Sequence, residues 1–106
     1  MRELNLKDYQ VKIPIQNPAK GPEFIEIPYM VKDSILNIMF MPAVGLAGAA
    51  LVRQNILAMK IETAKDSVML EEEEYQRVVN AVNVYKSQSR ADVELVDRIL
   101  NQTPEI

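Results

Sequence analysis

Among all the residues of the chain, four consecutive acidic side chains have the types and the spacing that most resemble a chemical site. They are Glu71, Glu72, Glu73 and Glu74. On a helix, Glu71 and Glu74 share a face, where two carboxylates could approach one Mg²⁺ or Ca²⁺ ion. No Asp-x-Asp sequence or Gly-centred loop accompanies them, and a helix dipole favours acids in the first turn. We therefore expect a helix start without a metal, and Glu71, Glu72 and Glu74 become candidate contacts for a protein partner.

The missing residue types exclude most catalytic chemistry. The 106 residues include no His and no Cys, which removes imidazole proton transfer, thiol nucleophiles and zinc fingers. Glu94 and Asp97 would need a dry pocket to act as acid and base, and Arg98 after them predicts an ion pair on a solvated helix face. Gly45 and Gly48 lack the Lys-Ser/Thr of a phosphate loop. We predict no enzymatic activity and no cofactor.

The charges indicate which partners to expect. The net charge is -3, which argues against non-specific binding to nucleic acid. Residues 1–53 carry six basic and five acidic side chains, a net +1, whereas residues 54–106 carry six basic and ten acidic ones, a net -4. This asymmetry would allow copies of the chain to pack head to tail.

Two alternating segments predict an antiparallel β-hairpin. The apolar residues that share one face are Tyr9, Val11, Ile13 and Ile15 in the first segment and Ile25, Ile27 and Tyr29 in the second. Residues 17–22 are rich in Pro and Gly and predict a loop of about six residues. Pro14 and Pro28 cannot donate to a ladder, so each must face outward or sit at a bulge. A two-stranded hairpin needs a further strand, and the short apolar run 68–70 is a candidate to join it.

The remaining segments have helical patterns. Asp33 or Ser34 can cap a helix that begins near Ile35 and ends before Pro42. A second helix is expected over residues 46–64. A third helix begins at the acids, and its apolar stripe is expected to contain Tyr75, Val78, Val79, Val82 and Tyr85. A fourth begins with capping-box spacing at Ser89 and Asp92. Its inward residues are expected to be Val93, Val96, Ile99 and Leu100. We predict an α+β fold in one domain, residues 1–106: an N-terminal β-hairpin with a short third strand, packed on about four helices.

Small residues near the start of the second helix suggest self-association. Ala47, Gly48 and Ala50 would keep its first turns thin, so that the backbone of another copy can approach closely.

Methionines suit either adaptable binding surfaces or irregular gaps in a core. Their position in apolar segments favours the core for Met30, Met39, Met41, Met59 and Met69.

One uncharged stretch has nearly the length of a membrane span. Residues 34–52 carry no charge, and a span needs about 20 predominantly apolar residues. Pro42 lies near the middle, with Gly45 and Gly48 after it, which favours two buried helices that meet at the proline. A membrane-inserted protein remains an alternative.

The first residues lack the apolar core of a secretory signal, and the absence of Cys fits a reducing cytoplasm.

Two motifs carry a resemblance to known proteins. Residues 29–36 have the pattern Tyr-x-Val-Lys-x-Ser-Ile-Leu, and residues 92–100 read Asp-Val-Glu-Leu-Val-x-Arg-Ile-Leu. With the hairpin opening, the apolar run and the acidic helix start, this layout resembles small proteins encoded in the structural modules of tailed bacteriophages. Such genes code for tail-assembly chaperones, minor virion components or accessory proteins that block host defences.

The resemblance implies a viral interaction protein. We expect a non-enzymatic assembly protein that forms homo-oligomers and contacts other viral or host proteins, in the host cytoplasm or on the virion. The alternative within the same resemblance is an anti-defence protein that binds a host immune enzyme or sequesters its nucleotide signal.

Overall fold

The structure is a computed structural model that describes residues 1–85 and 89–105. Within these ranges the chain forms four strands and four α-helices, an α+β fold as predicted. In chain order they are β1 (Arg2–Asn5), β2 (Tyr9–Asn17), β3 (Gly21–Tyr29), α1 (Val31–Met39), α2 (Ala49–Thr63), β4 (Ser67–Leu70), α3 (Glu72–Val84) and α4 (Val93–Asn101). Two 3-10 turns, Pro42–Val44 and Arg90–Asp92, precede α2 and α4.

The strands form two separate antiparallel pairs. In one, β2 pairs with β3 as the predicted hairpin; in the other, β1 pairs with β4. The strand expected at residues 68–70 is therefore present, but the prediction that it joins the hairpin is wrong. Its partner contains Leu4, which lies opposite Val68, and both side chains are buried in the core. The first strand is hard to recognise because charged residues interrupt it.

The helices and the small sheet enclose one apolar core. Its fully buried members include Leu4, Val31, Ile35, Met39, Leu57, Ile61, Leu70, Val78, Leu95 and Ile99. α1 begins at Val31 rather than near Ile35, because the Asp8 carboxylate accepts a hydrogen bond from the Val31 N–H at 2.8 Å. The caps expected at Asp33 and Ser34 are consequently wrong: both residues lie inside the helix.

α2 is shorter than its predicted range. Gly48 precedes it with φ 55° and ψ -128°, a conformation that glycine adopts far more readily than other residues. The uncharged stretch 34–52 is thus divided among α1, the turn at Pro42–Val44 and the start of α2. Among the described residues, none of the helices combines the length and the hydrophobicity needed to span a bilayer.

The last two helices follow their sequence signals in part. α3 buries Tyr75, Val78 and Val82 as predicted. The capping box before α4 is also confirmed, with the Ser89 N–H donating to Asp92 Oδ2 at 2.8 Å.

The face that α4 turns inward agrees with the prediction at Ile99, which is buried, and at Val96, which is half-buried against the core, but differs elsewhere. Its buried residues are Leu95, Arg98 and Ile99, whereas Val93 is 61% exposed and Leu100 38% exposed. Because Arg98 is buried, the inward face of α4 is rotated away from the side that carries Val93 and Leu100. Arg98 therefore does not lie on a solvated face, although it does approach Glu94 to 3.7 Å.

Candidate interaction surfaces

Each acid at the start of α3 contacts a group of its own chain. Glu71 caps the helix, and its N–H donates to Glu74 Oε1 at 2.8 Å. The same Glu74 oxygen accepts a hydrogen bond from Lys60 Nζ at 2.8 Å. Glu72 pairs with Arg2 at 2.8 Å, and the exposed Glu73 pairs with Arg77 one turn later. The carboxylates therefore diverge towards different basic partners.

The pKa values of two of these acids reflect those contacts. Hydrogen bonding to Arg2 lowers the pKa of Glu72 below its ordinary value. Partial burial acts to raise the pKa of Glu74, but the hydrogen bonds from Lys60 and the Glu71 N–H outweigh it, and the net shift is downward. Both groups stay ionised at neutral pH, as a capping and ion-pairing role requires. Within residues 1–85 and 89–105, no three acids converge as a metal site would need.

The small residues proposed for close helix packing lie mostly outside the helix. Ala47 and Gly48 are exposed in the turn before α2, and only Ala50 belongs to its first turn, where it is half-buried. Ala50 lines a shallow groove with Arg53, Gln54 and Glu73. The expectation that Ala47 and Gly48 thin the surface of a helix is therefore wrong, because both residues precede α2 and Gly48 is its N-cap residue.

The base of the hairpin is firmly attached to α4. The rings of Tyr9 and Tyr29, which face each other across β2 and β3, stack with their centroids 4.6 Å apart. The Tyr9 hydroxyl donates to the Ala91 carbonyl at 2.8 Å, and the Tyr29 hydroxyl donates to the Asp92 carboxylate. Arg98 lies over the Tyr9 ring, 5.0 Å from its centroid. These contacts fix the direction in which the hairpin leaves the core.

Beyond its base the hairpin projects as an arm, defined here as residues 9–29. Strands of nine residues span about 30 Å, more than half of the 54 Å length of the molecule. The register places Ile13 opposite Ile25 and Val11 opposite Ile27, so these side chains share one face with the two tyrosines. Ile15, Ile25 and Ile27 are 37%, 41% and 36% exposed. The arm therefore presents an apolar face that the described part of the chain leaves partly uncovered.

The turn of the arm is tighter than the predicted loop. Asn17 pairs with Gly21, which leaves Pro18, Ala19 and Lys20 as a three-residue connection. Gly21 has φ 81°, the left-handed conformation that usually closes such a loop. The strands are consequently longer than expected. The alternation breaks before the tip on β3, where Glu23 shares the apolar face and Phe24, which is 70% exposed, lies on the opposite face.

Prolines protect both edges of the arm. Pro14 lies opposite Phe24, Pro22 opposite Gln16, and Pro28 opposite Gln10. Residue pairs along an antiparallel ladder alternate between two kinds, hydrogen-bonded and non-hydrogen-bonded, and all three prolines belong to pairs of the same kind. In the non-hydrogen-bonded pairs the N–H groups point away from the partner strand, and proline is tolerated only at those positions. The outer edges of β2 and β3 therefore lack donors at these positions, which disfavours edge-to-edge pairing with another strand.

A second apolar surface runs along α2. Val52, Ile56 and Met59 are 61%, 61% and 55% exposed. With Ala49 and Thr63, both also exposed, they form the α2 stripe, which repeats at spacings of three and four residues along the whole helix. The buried residues Leu57 and Ile61 lie on the opposite side, so α2 is apolar on two faces. The regular stripe could have been found in the sequence, but sequence alone does not say which of the two faces is buried.

The methionines divide between the core and exposed positions. Met39 is fully buried, but Met30 is 48%, Met59 55% and Met69 37% exposed. The expectation that they fill the core is therefore wrong for these three, and Met59 belongs to the α2 stripe.

Comparison with models of protein families, with curated proteins and with solved structures finds no match to this chain.

Proposed function

We propose that this chain is a non-enzymatic assembly or interaction protein of a tailed bacteriophage, and that it acts as a homo-oligomer in the host cytoplasm or on the virion. The observation that carries the proposal is the arm, with its partly uncovered apolar face. The viral origin is supported by the resemblance of residues 29–36 and 92–100 to phage proteins.

The physical argument begins with the stability of the arm. A two-stranded hairpin is marginal in water unless something covers one of its faces. Here the base is held by Tyr9 and Tyr29, while Ile15, Ile25 and Ile27 remain partly exposed. Exposed apolar groups that form a contiguous patch commonly mark a site of protein interaction. A partner that covered this face would stabilise the arm and gain apolar contact in the same step.

The edges of the arm narrow the mode of binding. Pro14, Pro22 and Pro28 remove donors from both outer edges, so the arm is poorly suited to receive a further strand. Its apolar face has no such protection. We therefore assign binding to the face of the arm, through side chains, and not to its edges.

Sedimentation velocity over a range of protein concentrations tests the proposal. We expect the wild-type chain to form a defined oligomer. The double variant Ile25→Lys/Ile27→Lys should associate less while remaining folded, because both side chains are already partly exposed. Lys12→Glu/Glu26→Lys is the matched control, since those residues pair on the opposite face of the arm. A wild-type chain that stays monomeric at high micromolar concentration would overturn the proposal.

Affinity purification from infected cells distinguishes the alternatives. Recovery of the chain with itself and with virion proteins supports an assembly role. Recovery with a host immune enzyme or a bound nucleotide would favour the anti-defence function instead. Folded protein obtained only from detergent-extracted membranes would favour the membrane-inserted alternative.

A further inference from the structure

We infer that two copies of this chain associate through the α2 stripe, with the two helices antiparallel and Ile56 of each copy at a two-fold axis. This inference rests on the proposed self-association and adds a second contact surface to the face of the arm. The occupant of the stripe is thus a second α2.

The spacing of the stripe suits an identical helix. Ala49, Val52, Ile56, Met59 and Thr63 follow one another at intervals of three, four, three and four residues, and the set contains no charge. This is the pattern by which one helix packs against another of the same kind. Such a seam is self-complementary, as a two-fold interface requires.

The position of Ile56 favours the antiparallel arrangement. α2 runs from Ala49 to Thr63, so Ile56 is its central residue. A two-fold axis at Ile56 places the slender Ala49 end of one helix beside the larger Met59 and Thr63 end of the other. It also opposes the two helix dipoles.

The charges beside the stripe do not oppose this arrangement. Arg53 is exposed and has no ion-pair partner among the residues that the structure describes. On the same flank, one turn from the other end of the helix, Lys60 is held by Glu74 at 2.8 Å. An antiparallel pair sets Arg53 of each copy beside the Lys60–Glu74 pair of the other. Glu74 neutralises Lys60 there, so the incoming arginine does not meet an uncompensated cation.

The size of the surface fits a dimer of modest affinity. The exposed parts of Val52, Ile56 and Met59, with those of the flanking small residues, present roughly 350 Å² of apolar area. Since interfaces are a little over half apolar, each copy would bury about 600 Å². The total of about 1,200 Å² lies at the lower limit for specific complexes.

Cysteine cross-linking tests the arrangement cleanly, because the chain has no Cys of its own. Under mild oxidation, Ile56→Cys should form a covalent dimer in high yield. A mixture of Val52→Cys and Met59→Cys should cross-link more than either variant alone. Asn83→Cys, at an exposed position on α3, is the control. Efficient cross-linking of Val52→Cys by itself, as parallel helices would give, would overturn the antiparallel arrangement.

A charge at the axis gives a second, independent measurement. Ile56→Lys should raise the dissociation constant by about 30-fold or more, the loss expected for a residue at the centre of an interface. The circular dichroism and melting temperature of the monomer should be retained, since Ile56 is 61% exposed. If this variant self-associates like the wild type, the inference fails while the proposed function stands. A monomeric wild-type chain would refute both.

Discussion

Tyr9 and Tyr29 stack across the base of the arm with only 12° between their ring planes, and both hydroxyls reach the turn that precedes α4. One aromatic pair therefore joins β2, β3 and α4. Off-centre stacking of two aromatic rings contributes about 0.5–1.5 kcal/mol beyond the area that it buries. The arm is held where it leaves the core, and its outer part is left free for contact.

Replacement of Tyr29 by Phe keeps the stacked ring and removes the hydrogen bond to Asp92. We expect a loss of about 1–2 kcal/mol in the free energy of unfolding at neutral pH, because the acceptor is a charged carboxylate. Urea denaturation measures this loss. Gln10→Ala, on the exposed opposite face of the arm, should change the stability by much less.

The same tyrosine predicts a loss of stability in alkali. Burial and the hydrogen bond to Asp92 raise the pKa of Tyr29, and burial raises that of Tyr9. A raised pKa stabilises the folded state while the group is protonated; this contribution is complete below the unfolded pKa of about 10 and is lost as the pH rises above it. The wild type should therefore lose stability above pH 10 more steeply than Tyr29→Phe. Equal slopes would show that Tyr29 contributes nothing to the alkaline transition.

Arg98 links α4 to the segment between β1 and β2. It is 7% exposed and donates to the Lys7 carbonyl at 2.6 Å and to the Asn5 carbonyl at 3.4 Å. We expect Arg98→Met to lower the free energy of unfolding by about 2–3 kcal/mol, because it leaves partly buried carbonyls without a donor. Glu94→Gln is the control: its carboxylate is half-exposed and lies 3.7 Å from the arginine, so its loss should cost less than about 1 kcal/mol. Similar losses in both variants would instead show that Arg98 stabilises the fold through its ion pair with Glu94.

The sequence is informative wherever local chemistry decides the structure. Alternation gave the shared face of Tyr9 and Tyr29, and the capping box at Ser89 and Asp92 formed as expected. The structure differs from the prediction where groups that are distant in the sequence determine the local conformation. Asp8 moves the start of α1 to Val31 by capping it from outside the helix.

Burial of Arg98 shows why the inward face of α4 could not be predicted. An arginine counts as polar in any pattern, yet here carbonyls from the N-terminal segment provide its acceptors. Likewise α2 carries apolar residues on two faces, and only packing against α1 and the rest of the core determines that Leu57 and Ile61 turn inward. Ile56, on the other face, was therefore missed as a candidate contact.

Replacement of Glu74 by Gln tests the structural role of the acidic run. It weakens the contact with Lys60 and the capping box, so we expect a loss of about 1 kcal/mol at pH 7. Because the pKa of Glu74 is lowered in the fold, its contribution is present above the unfolded value and is lost as the pH falls below about 4.5. Stability measured between pH 3 and 7 should therefore fall less steeply in the variant.

Glu73→Gln provides the matched control for that experiment. Its carboxylate is 76% exposed, and the same substitution there should have little effect. We also expect a chelator to leave the melting temperature of the wild type unchanged. A marked decrease in the wild type that is absent in Glu74→Gln would instead identify a metal at the acidic run.

The prolines of the arm predict a change in how the chain associates. Pro14→Val/Pro28→Val restores two N–H groups, and both should point outward from the hairpin, since these residues belong to residue pairs of the same kind. Strand edges that regain donors while keeping β-branched residues are templates for pairing with other chains. We therefore expect the variant to form thioflavin-binding aggregates at concentrations at which the wild type remains clear.

Pro104→Val is the control for proline loss in general, because Pro104 is exposed near the C-terminal end, outside the arm. It should leave the chain as free of aggregation as the wild type. The two prolines lie on different strands, Pro14 on β2 and Pro28 on β3, so each single variant restores one outward N–H on one edge, while Pro22 still interrupts the edge of β3. A stack of strands that grows in both directions needs donors on both edges. Aggregation should consequently rise more than additively in the double variant. If the double variant stays clear, the prolines do not protect the edges, and edge pairing becomes as plausible a mode of self-association as contact through the face.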